Sequence, residues 1–203
     1  MLYIFENTDK LKEDFINRAI PYLSLQRLRK IDDLRMMSDK VNSAAVFLML
    51  RYALKKEYGI DEAPEFIFKK NEKPYISGRD DIFFNLSHSR NSCACIISDT
   101  ETAVDISDLR EISERTAKFF CAPEEYERAA SSVNRCSELV RLWTIKECYS
   151  KYDGRGLRMN YLLIGDKEKE NIHTIYGERY VAAYYAEKET ETIYVDAGTL
   201  LGE

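Results

Sequence analysis

The chain has 203 residues, 45% hydrophobic and 12% aromatic, enough for a packed core in one domain or two small ones and too apolar for a disordered chain. Its formal net charge of -5 at pH 7 argues against a surface built as a whole to track a nucleic-acid backbone or an anionic membrane, so any phosphate site must be a local basic pocket. The longest strongly apolar stretch, Ala44 to Leu50, is far short of the about 20 residues that span a bilayer. Glu6, Asp9 and Lys10 interrupt the segment where a secretory signal would run, so a cytoplasmic location without membrane contact is expected.

Taken in chain order, the clearest helix is expected from Ser38, read as an N-cap, to Gly59. Val41, Ala45, Leu48 and Tyr52 recur at helical spacing, and Phe47, Met49 and Leu50 imply burial on several sides. The pattern then changes to short β-type runs, Ile82–Ser87, Cys93–Ser98 and Thr102–Ile106, separated by SRN and DTE turns, which predicts an antiparallel meander. Helices are expected over Glu111–Phe120, after Pro123, and over Ser137–Lys151 up to Gly154. Strands are expected at Tyr161–Ile164, His173–Tyr176, Tyr180–Tyr185 and Ile193–Val195. The fold class is α+β, in two segments of similar plan, residues 1–100 and 101–203. Cys93, Cys95, Cys121, Cys136 and Cys148 have no paired metal-site spacing and read as free thiols.

Three segments carry chemistry. Within Leu139–Leu157, Trp143, Glu147 and Lys151 lie four apart and share one helix face, placing a carboxylate and an ammonium beside an aromatic. In AVDIS, Asp105 ends a strand; Ser107 points the same way, and Asp108 the other way unless a bulge re-aims it. In FNLSHS, a strand ends in Ser87 and His88, offering a hydroxyl, turn amides and an imidazole to an anion; without a G-x-S-x-G elbow, the pair does not read as a hydrolase site.

These blocks resemble the Sfp-type (surfactin-synthetase-activating) 4'-phosphopantetheinyl transferases. Trp143, Thr144, Lys146, Glu147, Lys151, Gly154, Gly156 and Leu157 fit W-[ST]-x-K-E-[AS]-x-x-K-x-x-G-x-G-L, AVDIS lies beside G-[IV]-D-[IL]-E, and FNLSHS fits F-N-[IL]-S-H-[ST] throughout. The resemblance implies a pseudodimer of two α+β halves, each with helices packed on a small antiparallel sheet and the active site in the cleft between them. It implies transfer of 4'-phosphopantetheine from coenzyme A to a serine of an apo acyl or peptidyl carrier protein, as in fatty acid, polyketide and nonribosomal peptide synthesis, with release of 3',5'-ADP. Magnesium, or manganese, would be held by Asp105 and Glu147, with Ser107 and Asp108 as further candidates. Glu147, Lys151 and His88 would be catalytic, and Arg27, Lys30, Lys73, Pro74, Ser87, His88 and Lys151 would contact coenzyme A. Two halves already make a complete site, so a monomer is expected.

Three departures bear on activity. Ser107 stands where the family usually has a second acid, Glu72 where it has the glycine of G-K-P, and Asn42 where relatives carry an arginine for the nucleotide 3'-phosphate, with Arg35 or Lys40 as substitutes. They motivate two rival readings: a degenerate homologue that binds carrier protein or coenzyme A without transfer, and a different metal-dependent phosphohydrolase.

Overall fold

The structure, a computed structural model, describes residues 1–68, 73–155 and 159–202. It opens on β1 (Leu2–Glu6), α1 (Glu13–Ala19), α2 (Leu25–Asp33) and α3 (Met37–Tyr58), followed by β2 (Phe66–Phe68), β3 (Pro74–Ile76), β4 (Phe83–His88) and β5 (Ser92–Ser98). The second stretch holds β6 (Ala103–Asp108), α4 (Glu114–Phe120), α5 (Pro123–Ala130), α6 (Arg135–Asp153), α7 (Asp166–Lys169), β7 (Ile172–Tyr176), β8 (Tyr180–Tyr185), β9 (Thr192–Val195) and α8 (Ala197–Leu201). The class is α+β.

One sheet has the order β4-β5-β1-β9, a second β6-β8-β7, and β2 and β3 form a separate ribbon. β1 is antiparallel to β5 as β6 is to β8, and hairpins β4-β5 and β7-β8 close each set. Strand, two short helices, one long helix and hairpin thus occur twice with one pairing scheme. The expected meander is corrected: β6 leaves β5 for the second sheet. The reason is an occupied edge, because β5 already pairs with β4 on one side and β1 on the other.

The layers run α3, first sheet, second sheet, α6. Tyr3, Phe5, Cys93, Cys95 and Ile97 face α3, whereas Leu2, Ile4, Ala94 and Ile96 face Val104, Ile106, Tyr180, Ala182 and Tyr184 across the sheets. Burial on both faces makes LYIF a continuous apolar run, so β1 shows no alternation and has no strand signature of period two. β9 lies parallel to β1, and Leu200 and Leu201 of α8 enter the core around α3, so residues 192–202 complete the first layer pair.

Local differences have local causes. α3 starts at Met37 after Met36, with no side-chain cap, rather than at Ser38. α4 starts later than expected, because Ser113 caps it by accepting from Thr116 N–H at 3.2 Å. Tyr161–Leu163 is a 3-10 turn, not a strand: Tyr161 and Ile164 are buried while Leu162 and Leu163 are exposed, a spacing of three rather than two. All five cysteines are free, and burial pushes the Cys93, Cys95 and Cys148 thiols up, leaving them unreactive. No helix among the described residues is long and apolar enough to cross a membrane.

Candidate active site

β6 lies at the edge of the second sheet against β4, the edge of the first. The two strands are joined by side chains rather than by a ladder: Asn85 Oδ1 accepts Val104 N–H at 3.1 Å and Ser87 Oγ accepts Ile106 N–H at 3.3 Å. The alternating polar residues of FNLSHS therefore satisfy backbone donors that an open edge would leave bare.

Asp105, 6% exposed, sits at the centre of this seam. Its Oδ1 accepts Ser87 Oγ–H at 2.9 Å and Lys151 Nζ at 2.7 Å; its Oδ2 accepts Ser107 Oγ–H at 3.1 Å. Lys151 also donates to Ser87 Oγ at 2.9 Å and the Val104 carbonyl at 3.1 Å, so the helix face read from the sequence delivers its ammonium to the carboxylate. Glu147, one helical turn earlier, is half-buried and accepts the Tyr161 hydroxyl at 2.5 Å. Burial pushes its carboxyl up; the Tyr161 bond and Lys151 oppose this, and Asp105 adds to it. Tyr161, read from the sequence only as the start of a strand, is thus part of the site, and no spacing rule points to it.

The other predicted residues divide. A cavity of about 590 Å³ between α2, α3 and β4 is lined by Arg27, Lys30, Pro74 and His88, together with Asp39, Asn85, Phe66 and Phe68, none of which had been assigned a role. Arg27 is 7% exposed, with its guanidinium 5.0 Å from the Phe47 ring centre and 5.6 Å from that of Phe66. It donates to Ser43 Oγ at 3.2 Å and to the Ser43 carbonyl at 3.5 Å, but among the described residues no carboxylate lies within ion-pair distance, and burial lowers its pKa to about 10. A buried cation without an anion, with three of its five donors unspent, suits an anionic ligand. His88 is at the exposed end of β4; close packing, then the Lys151 charge, lower its pKa, so it is neutral at pH 7.

Lys73, Ser87 and Lys151 do not line the cavity. Lys73 is buried, ion-paired with Glu101 and bonded to the Thr102 carbonyl at 3.0 Å, while Ser87 and Lys151 belong to the Asp105 cluster. Asp108 Oδ1 accepts Ser89 Oγ–H at 2.7 Å and its Oδ2 accepts Arg90 N–H at 2.9 Å, fixing the β4-β5 turn. Asn42 is buried, its Nδ2 donating to the Ser89 carbonyl at 2.8 Å, and neither Arg35 nor Lys40 lines the cavity. Glu72, Gly156 and Leu157 lie outside the described residues.

The sequence profile of the 4'-phosphopantetheinyl transferase superfamily matches residues 99–195, the stretch holding Asp105, Glu147 and Lys151. Residues 99–195 are thus similar in sequence to this superfamily. It is 31% identical over 115 residues to a 4'-phosphopantetheinyl transferase of Bacillus subtilis, covering 55% of this chain and 51% of that one. It is 38% identical over 95 residues to the 4'-phosphopantetheinyl transferase gsp of Aneurinibacillus migulanus, covering 45% and 39%. With the 4'-phosphopantetheinyl transferase Sfp of Bacillus subtilis strain 168 the identity is 24% over 152 residues, covering 73% and 68%. The chain therefore spans about half or less of the first two relatives.

A divalent cation would fit the acidic pair by its chemistry. Asp105 and Glu147 are close enough for one charge to raise the other's pKa, and both offer hard oxygen donors. Among the described residues no three His, Cys, Asp or Glu groups converge, so water and substrate oxygens would complete the coordination.

Proposed function

We propose that the protein is a 4'-phosphopantetheinyl transferase: it moves this group from coenzyme A to a serine of an apo acyl or peptidyl carrier protein and releases 3',5'-ADP. The observation that carries this reading is continuity. His88 lines the cavity that holds the unpaired Arg27, and the preceding residue, Ser87, is bonded to both Asp105 and Lys151. A ligand with its nucleotide in the cavity has its diphosphate beside the acidic pair.

In this reading the two repeated units form a pseudodimer with its site in the seam between them, complete in a monomer. Phe66 and Phe68 give the base an apolar wall, and Arg27 and Lys30 meet nucleotide phosphates. The serine oxygen attacks the β-phosphorus, and the bond from that phosphorus to the leaving 3',5'-ADP oxygen breaks. Glu147, or a water it orients, takes the serine proton, and Lys151 holds Asp105 in place. Magnesium, bound by Asp105 and Glu147, would supply positive charge to the transferring phosphoryl oxygens.

Incubation with apo carrier protein, coenzyme A and magnesium, followed by intact-mass measurement, should show the carrier gain one phosphopantetheine. Inorganic phosphate release with no adduct would favour a phosphohydrolase; coenzyme A binding with no adduct would favour a degenerate homologue, the reading that Ser107 and Asn42 motivate.

His88→Ala should raise the coenzyme A concentration for half-maximal rate about 10-fold, with a smaller effect on turnover, because the lost contact exists in ground and transition states alike. A bound phosphate stabilises imidazolium, so the parent should bind coenzyme A more tightly as pH falls from 8 to 6, with proton uptake. Calorimetry in two buffers of different ionisation enthalpy measures that uptake; an equal proton count in His88→Ala would place the histidine elsewhere. Ser107→Glu adds a carboxylate beside Asp105 Oδ2 and should lower the half-saturating magnesium concentration several-fold, whereas Asp108→Asn should leave it unchanged. A higher magnesium requirement in Ser107→Glu would show a site too crowded for a third acid.

A further inference from the structure

Neighbouring residues on a helix point about 100° apart, so Lys146 and Glu147 leave α6 in different directions. Lys146 is wholly buried; its Nζ donates to the Phe120 carbonyl at 2.6 Å, Glu125 Oε2 at 2.5 Å and the Tyr161 carbonyl at 3.1 Å. Glu125 is held from its other oxygen by Lys169 at 2.6 Å. Glu147 Oε1 accepts the hydroxyl of the same Tyr161. The tyrosine ring is 5.7 Å from Trp143 and 6.2 Å from Phe119. One buried residue is therefore fixed at its carbonyl, its ring and its hydroxyl, and the hydroxyl ends on the half-buried glutamate.

We propose that Tyr161 is a positioning residue for Glu147: its phenol occupies Oε1 and turns Oε2 toward the metal and the acceptor hydroxyl. This rests on the transferase reading of Glu147. A glutamate has three rotatable side-chain bonds, and Glu147 Oε2 has no hydrogen-bond partner among the described residues, so the phenol is what selects one carboxylate orientation. The buried Lys146 ion cluster supplies the rigidity: it anchors the turn that carries the phenol, 14 residues beyond the glutamate it orients. Bonds to the oxygen that a ligand leaves unused commonly set both metal affinity and rate.

The test is Tyr161→Phe, which deletes the hydroxyl and keeps the ring contacts and the carbonyl bonded to Lys146. The unfolding midpoint should move by no more than about 4 °C. Manganese binding, followed by the electron paramagnetic resonance signal of the free ion, should weaken about 10-fold, and turnover at saturating coenzyme A should fall about 10-fold. At saturating metal the coenzyme A concentration for half-maximal rate should move much less than turnover, since Tyr161 does not line the nucleotide cavity. Glu147→Gln should weaken manganese binding at least as much, and adding Tyr161→Phe to it should cause no further loss, because both act through one carboxylate. Unchanged manganese affinity in Tyr161→Phe of an active parent, or additive losses in the double variant, overturns the positioning role alone. A parent that neither binds manganese nor transfers the group overturns the transferase reading, and the role of Tyr161 with it.

Discussion

Asp105→Asn and Glu147→Gln should each lower the rate of transfer by at least about 10²-fold to 10³-fold while leaving the fold in place. Both substitutions keep the shape and remove a charge from a site where, among the described residues, no third acidic group converges. In Asp105→Asn the amide oxygen can still accept from Lys151 and Ser87, so the seam between β4 and β6 keeps its hydrogen bonds and loses its anion. In Glu147→Gln the hydroxyl of Tyr161 still finds an oxygen. The loss should therefore appear in ligand linkage rather than in intrinsic stability: magnesium with coenzyme A should raise the melting temperature of the parent and raise it much less in either variant. Turnover near the parental rate in both variants would remove the metal assignment.

Arg27→Met should separate binding from stability. Burying a guanidinium with no carboxylate nearby opposes folding, and the drop of its pKa to about 10 expresses that cost. Methionine keeps an unbranched apolar stem against Phe47 and Phe66 and removes the charge, so denaturant unfolding should find the ligand-free variant as stable as the parent or more so. Coenzyme A affinity should move the other way. Hydrogen bonds to a charged group are worth about 1.5–3 kcal/mol, which predicts a dissociation constant raised about 10-fold to 150-fold by calorimetry. Unchanged affinity would move the nucleotide out of the cavity between α2 and α3. A residue that costs stability and confers binding is what a functional pocket is expected to hold.

How much of this was legible in the sequence follows from the range of each interaction. Trp143, Glu147 and Lys151 fall on one helix face because four residues make about one turn, and α6 places Glu147 and Lys151 at the acidic cluster. Strands β4, β5, β7 and β8, and the glycines that end α3 and α6 in left-handed conformation, follow from local propensity and backbone sterics. Those features depend on neighbours within a few residues, and the amino-acid order contains them.

The misreadings share one cause: their partners lie far away along the chain. No strand was expected at β1, whose two buried faces leave no alternation to read, and β6 left the meander because β1, about 100 residues earlier, had taken its place beside β5. The partners of Ser87, Lys73 and Asn42 are likewise distant in the chain, because each side chain bonds to a seam or turn that closes only when the layers stack. Tyr161 reaches Glu147 because a 3-10 turn anchored by Lys146 swings it there. The sequence by itself determined the helix face and the resemblance that its residues carry. Tertiary structure alone decided which polar side chains stay free to meet a ligand, because a hydrogen-bond donor or acceptor buried by packing must take whatever partner the packed layers bring to it.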